Sequence, residues 1–198
     1  QWPELLTRLD QLVGRAEAYR SRPAFQQNYA LLLLARKKAR LASKLGAPAE
    51  LLAPALQRAA EAIFARLRDG KAPPAAPGRL MERAYVAAND GSVQPYYVYL
   101  PPQWRPGKSL PMIVFLHGYV PTINVLEPWV LGEETLSIAG RLGCIVLIPY
   151  GRRNTDFQGV GEVDVLETMR LAQKEFGADS TRTYVCGVSM GGMGAWDM

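Results

Sequence analysis

Apolar residues recur every three or four positions over roughly the first seventy residues; past residue 82 they switch to short runs that alternate or stay hydrophobic throughout. Leu5, Leu9, Leu12, Val13 and Ala16 share one face of a 3.6-residue period, which predicts an amphipathic helix over 4–20, with Pro3 suited to its first turn. A second helix is expected over about 23–44, stopping near Gly46, and a third over about 48–68, stopping near Asp69-Gly70. Lys71-Ala72-Pro73-Pro74-Ala75-Ala76-Pro77-Gly78 then breaks the period, because proline lacks an amide proton and favours an extended path. The pattern divides the chain into a helical segment (1–70), a Pro-rich linker (71–81) and a remainder (82–198) of different character.

In that remainder, strands are expected at 82–88, 94–100, 111–116, 143–148 and 182–187, with helices at about 129–141 and 161–176. Asn89-Asp90-Gly91-Ser92 is a turn signal that predicts a hairpin between the first two strands. The later order of strand, helix, strand, helix, strand builds a mostly parallel sheet through right-handed crossovers, an α/β arrangement with helices on both faces.

Charge separates the same two parts. Residues 1–80 hold 14 Lys and Arg against 6 Asp and Glu, while 81–198 hold 9 against 12. The basic residues of the first part sit among apolar helical positions without interleaved aromatics, which reads as a solvated helix face and not a nucleic-acid site. The longest apolar run there, Tyr29–Ala35, is far too short to cross a bilayer. Cys144 and Cys186 lie in apolar strand contexts without metal-ligand or disulfide spacing and are expected to be buried free thiols.

Thr183-Tyr184-Val185-Cys186 reads as a buried strand, and Gly191-Gly192-Met193-Gly194-Ala195-Trp196 can begin a helix. Between them stands Gly187-Val188-Ser189-Met190-Gly191, a G-x-S-x-G turn whose flanking glycines permit a tight strand-to-helix elbow. Such an elbow exposes the hydroxyl of Ser189 and turns the helix N-terminus and the Met190 amide toward a developing oxyanion. Upstream, Leu110–Leu116 is a buried strand ending in His117-Gly118, one βαβα unit before the serine, and the amide of Tyr119 just beyond it is the candidate second oxyanion donor.

Other charged residues read as structural. Glu162, Asp164 and Glu167 open a helix, where carboxylates favour the positive end of the dipole. Arg152, Arg153 and Asp156 follow a strand on the edge where α/β ligands bind, yet read first as solvated loop positions. Asp179 and Arg182 bracket a turn that a local ion pair or Asx-turn explains. Asp197 lies two helical turns beyond Ser189 and is expected to point away from it.

Val98-Tyr99-Leu100-Pro101, Leu116-His117-Gly118, Gly161-Glu162-Val163-Asp164-Val165, Asp179–Tyr184 and Gly187–Trp196 together resemble the α/β-hydrolases, in particular esterases of the poly(3-hydroxybutyrate) depolymerase type and prolyl-oligopeptidase-like catalytic domains. The resemblance covers roughly 82–198. It implies an α/β-hydrolase core preceded by a small helical segment, with Ser189 as nucleophile, backbone amides of Met190 and Tyr119 as the oxyanion hole, and Gly187, Gly191 and Gly118 as elbow and loop glycines. His117 would brace its loop. It further implies a small-molecule or polymeric ester substrate, neither metal nor organic cofactor, and a lean toward a secreted or periplasmic location.

The acid and histidine of such a triad follow the serine helix in that family. The sequence reaches Met198 nine residues after Ser189 and has one histidine, so the resemblance implies the N-terminal part of a catalytic domain with little turnover of its own. The serine strand, central in the complete fold, would then present one unpaired apolar edge. A prolyl-oligopeptidase-like serine peptidase and a non-catalytic hydrolase-fold binding protein stand as the alternative readings.

Overall fold

The computed structural model describes residues 1–198, whose contacts group into two units, 1–74 with 84–94 and 75–83 with 95–198. The first unit is built on three helices, α1 (Trp2–Ala16), α2 (Phe25–Lys44) and α3 (Ala49–Arg68). The α-helical hydrogen bonding of α1 stops at Ala16 and tightens into a 3-10 turn over Glu17–Tyr19. Its buried residues are Leu5, Leu9, Leu12, Val13 and Ala16, the stripe on one side of the period. The chain enters α2 through Ala24 in the left-handed region (φ 57°). There the buried Asn28 carboxamide donates to Ala24 O (3.1 Å) and Lys71 O (2.8 Å), tying the segment after α3 to the start of α2. Arg36 and Arg40 of α2 both reach Asp10 of α1, and Arg8 reaches Glu61 of α3. These exposed pairs add little each, about 0–1 kcal/mol; the apolar stripes hold the helices together.

Residues 71–76 have no regular structure, as the prolines dictate. Five strands follow, β1 (Leu80–Val86), β2 (Val93–Tyr99), β3 (Leu110–Leu116), β4 (Ile145–Pro149) and β5 (Ala178–Gly187), in the sheet order β1-β2-β4-β3-β5. The tip of the β1–β2 hairpin groups with the helical unit. The sheet is mixed: β3 pairs in parallel with both β4 and β5, and β2 pairs antiparallel with β4. Helices α4 (Glu133–Leu142) and α5 (Val160–Phe176) make the two crossovers, each closed by a left-handed glycine, Gly143 and Gly177. Tyr97 and Tyr99 of β2, Val146 and Ile148 of β4 and Leu136 and Ala139 of α4 form one layer of core. Near the far end of α5, Arg83 pairs with Glu175 (3.1 Å), and the buried Trp104 indole donates to Phe176 O (2.8 Å).

β4 is buried along its whole length, whereas β5 is the open edge, with Tyr184 60% exposed. The expectation of a buried strand over 183–186 is therefore corrected. β5 has a neighbour on one side only, and alternate residues face outward without a cover. The expectation of buried thiols is corrected too: Cys186, on this open edge, is exposed, and Cys144, just before the first residue of β4, is half-buried. Partial burial still pushes both thiols above their ordinary range. β5 also begins four residues earlier than periodicity predicts. Asp179 accepts from the Thr181 amide (2.9 Å) and hydroxyl (2.7 Å) and from Arg182 Nε (2.8 Å), an Asx-turn that carries the strand through its irregular start.

Candidate active site

The strand ends of β3, β4 and β5 converge on one edge of the sheet, where parallel strands leave room for ligands. At the end of β5 the chain turns through Val188 and Ser189 into α6 (Met190–Asp197). Ser189 has φ 53° and ψ −119°, a conformation that L-residues hold only when their surroundings enforce it, at about 1–3 kcal/mol. Those surroundings are backbone. A Cβ on Gly187 would lie 2.8 Å from Leu116 O and closer still to Gly191 O; a Cβ on Gly191 would collide with Leu116 O and lie 2.6 Å from His117 O. Neither position admits any other residue without moving β3 or the elbow. The Val188 amide donates to Leu116 O (3.3 Å), and Ser189 O accepts from the amides of Gly192 (2.9 Å) and Met193 (3.1 Å). The serine is exposed, Met190 is buried, and the Met190 amide belongs to the first-turn donors that a helix leaves without an intrahelical acceptor.

Directly opposite runs the loop that leaves β3. Gly118 lies against the elbow, a Cβ there falling 3.3 Å from Val188 O and 3.6 Å from Ser189 Cβ. The ring of His117 is 1% exposed; its Nδ1 is 2.8 Å from Gly118 O and its Nε2 is 3.3 Å from Tyr150 O. Both partners are carbonyls, which only accept, so the shorter contact calls for the proton on Nδ1. Phe157 meets the imidazole edge-on, centroids 5.1 Å apart, and Trp129 flanks it at 6.3 Å. Tyr119, next along, is 64% exposed.

The third element is the loop after β4, residues 150–159, which the sequence pattern did not single out as organised. Gly151, Arg152, Arg153, Asp156, Phe157 and Gly159 all have φ between 54° and 76°. So many left-handed residues in one loop need strong anchors. Arg152 supplies one, its guanidinium forking onto Asp164 of α5 (Nε–Oδ2 3.0 Å, Nη2–Oδ1 3.2 Å) with both side chains largely buried. The expectation of a solvated Arg152 is thus corrected: the loop folds back onto α5, and Asp164 serves an ion pair and not the helix end. Phe157 is a second anchor, 1% exposed and packed against Gly151 and Gly194 so closely that neither has room for a side chain. Asn154 joins this loop to the loop after β3: Oδ1 accepts from the Val120 amide (3.1 Å) and Nδ2 donates to Val120 O (2.8 Å). Nothing periodic marks these residues. The only available signal was their position just past the C-terminal end of a central strand.

Ser189 opens into a shallow depression of about 610 Å³ lined by Asp156, Gln158, Gly192, Met193, Trp196 and Asp197. Asp197 therefore shares the serine's depression, and its Oδ2 accepts from Gln158 (3.0 Å). No group of His, Cys, Asp and Glu side chains is arranged to hold a metal ion, and no helix is long and apolar enough to cross a membrane. The one histidine is turned to two carbonyls, so residues 1–198 bring no free imidazole to Ser189.

No protein-family model matches the sequence, and no curated protein matches it. Among solved structures the chain is similar to an S-formylglutathione hydrolase from Agrobacterium tumefaciens (24% identity over 62% of this chain and 53% of that one, TM-score 0.45). It is similar to a fluorophosphonate-binding serine hydrolase from Staphylococcus aureus (19% identity, 59% and 49%, TM-score 0.45). A ferulic acid esterase from the anaerobic fungus Anaeromyces mucronatus is a further likeness (20% identity, 57% and 50%, TM-score 0.43). The chain spans about half the length of these three structures.

Proposed function

We propose that the protein is a serine hydrolase of the α/β-hydrolase kind that cleaves carboxylic esters through an acyl-serine intermediate. The observation that carries this reading is the Ser189 turn, an exposed hydroxyl at φ 53° between β5 and α6, wedged by two glycines against the end of β3. A strained, glycine-locked serine at the mouth of a parallel sheet has a use in acyl transfer and no evident use in packing.

In this reading Ser189 Oγ attacks the ester carbonyl carbon while a base accepts its proton. The carbonyl oxygen becomes an oxyanion held by the amides of Met190 and Tyr119, and the alcohol departs with a proton. Water then cleaves the acyl-serine and restores the hydroxyl. His117 acts on this arrangement indirectly. Gly118 C=O and Tyr119 N–H are opposite ends of one planar trans peptide, so an imidazole that holds the carbonyl aims the amide the other way. The base itself is an imidazole that residues 1–198 do not offer. Losing the base in a serine protease costs on the order of 10⁶-fold in kcat, so these residues alone are expected to show no serine-dependent turnover.

The test is labelling of the full-length protein with a fluorophosphonate, beside Ser189→Ala, followed by kinetics on chromophoric short-chain esters and on peptide amides. Labelling confined to Ser189, with ester turnover, supports the proposal. A folded protein that resists the reagent would instead be a binding protein on this scaffold, and preference for amides would make it a peptidase.

A further inference from the structure

We infer that Asn154 is a positioning residue for this acyl-transfer site, fixing the direction of the Tyr119 amide by clamping the residue that follows it. The inference rests on the reading of Ser189 as nucleophile and adds a residue to it.

Three consecutive peptide planes transmit the constraint. The plane that ends in the Tyr119 amide is held at its carbonyl end by His117 Nδ1, 2.8 Å from Gly118 O. One contact leaves a plane free to rock about it. The next plane ends in the Val120 amide, which donates to Asn154 Oδ1 at 3.1 Å, and the plane after that begins with Val120 O, which accepts from Asn154 Nδ2 at 2.8 Å. A single carboxamide thereby engages both backbone groups of Val120 as a neighbouring strand would, and needs its oxygen and nitrogen in one orientation only. Val120 O also accepts from the Ile123 amide (3.2 Å), and Pro121 confines Val120 to extended backbone. With Gly118 tied on one side and Val120 on the other, Tyr119 keeps little freedom in φ and ψ although its side chain is 64% exposed.

Asn154 can do this only from a loop that is itself rigid. Arg152, two residues before it, is forked onto Asp164, and Phe157, three residues after it, is buried beside His117. The left-handed backbone at Arg152, Arg153, Asp156 and Phe157 directs the carboxamide across to the β3 loop, 34 residues away in sequence. A solvated loop asparagine would need none of this.

The experiment uses the full-length protein as wild type, Asn154→Ala and Asn154→Asp, with three readouts: the second-order rate of fluorophosphonate labelling at Ser189, kcat and KM on a short-chain ester, and hydrogen exchange of the Val120 amide. Asn154→Ala is expected to speed Val120 exchange and to lower labelling and kcat about tenfold or more, with KM within twofold; loss of a whole oxyanion donor, about 10²–10³-fold, is the ceiling. Asn154→Asp keeps the acceptor for the Val120 amide but sets an oxygen against Val120 O, so its loss should be intermediate. If Asn154→Ala does not fold, the aspartate variant carries the comparison. Labelling and kcat within twofold of wild type while Val120 exchange rises would overturn the inference, as would unchanged exchange. Wild-type protein that does not label removes the Ser189 reading and this inference with it, an outcome distinct from failure of the clamp alone.

Discussion

β4 and β5 flank the same strand, β3, in the same parallel sense, and they differ in almost everything else. β4 has strands on both sides and is buried at all five positions. β5 has β3 on one side and solvent on the other, and residues along it lie open. Yet the turn that leaves β5 holds Ser189 in a strained backbone conformation, φ 53° and ψ −119°. Precision there does not come from burial of the strand. It comes from a few backbone contacts at its end, where Gly187 and Gly191 sit against Leu116 and His117, and from a loop after β4 held by one ion pair and one phenylalanine.

That contrast can be attacked directly. The largest effect is expected from Gly191→Ala, whose methyl would meet Leu116 O and 2.6 Å away His117 O: more than about 4 kcal/mol of stability lost, by denaturant titration, or a displaced elbow that no longer reacts with a fluorophosphonate. Next comes Arg152→Ala, which leaves Asp164 buried and unpaired and should cost about 3–5 kcal/mol. In the body of the strands, Ile148→Ala on β4 should cost about 2–5 kcal/mol. Tyr184→Lys on β5 should cost no more than about 0.5 kcal/mol while reducing light scattering, because a charged edge resists pairing with a second molecule. Equal costs for the two would dissolve the contrast.

The smallest effect concerns the start of β5. Hydrogen bonds from the Thr181 hydroxyl, from Arg182 and from the Thr181 amide hold the Asp179 carboxyl well below the ordinary carboxylate range. A depressed pKa contributes stability above the unfolded-state value near 4 that is lost as pH falls through the folded-state value. Asp179→Asn should therefore weaken the protein slightly at neutral pH and flatten the acid limb of its pH–stability curve; parallel limbs for the two proteins would contradict this.

Periodicity carried the helices well, since Leu5, Leu9, Leu12, Val13 and Ala16 repeat at a spacing that only one face of α1 can satisfy. The G-x-S-x-G elbow was equally legible, because its glycines announce positions where backbone meets backbone. What could not be read was anything that depends on a non-repeating backbone. Arg152 meets Asp164 only because the loop between them turns left-handed four times at side-chain-bearing residues, and Asn154 meets Val120 for the same reason. Exposure of Tyr184 and Cys186 was missed for a different cause: an apolar run reports that a residue could be covered, and the number of neighbouring strands decides whether it is.

The chain has a single histidine, and it stands at the back of the one peptide unit whose front is the Tyr119 amide. Its imidazole is therefore a resident reporter. Its ring proton resonances, buried away from bulk solvent, will register any rotation of that unit, so occupancy in front of Ser189 can be followed from behind it.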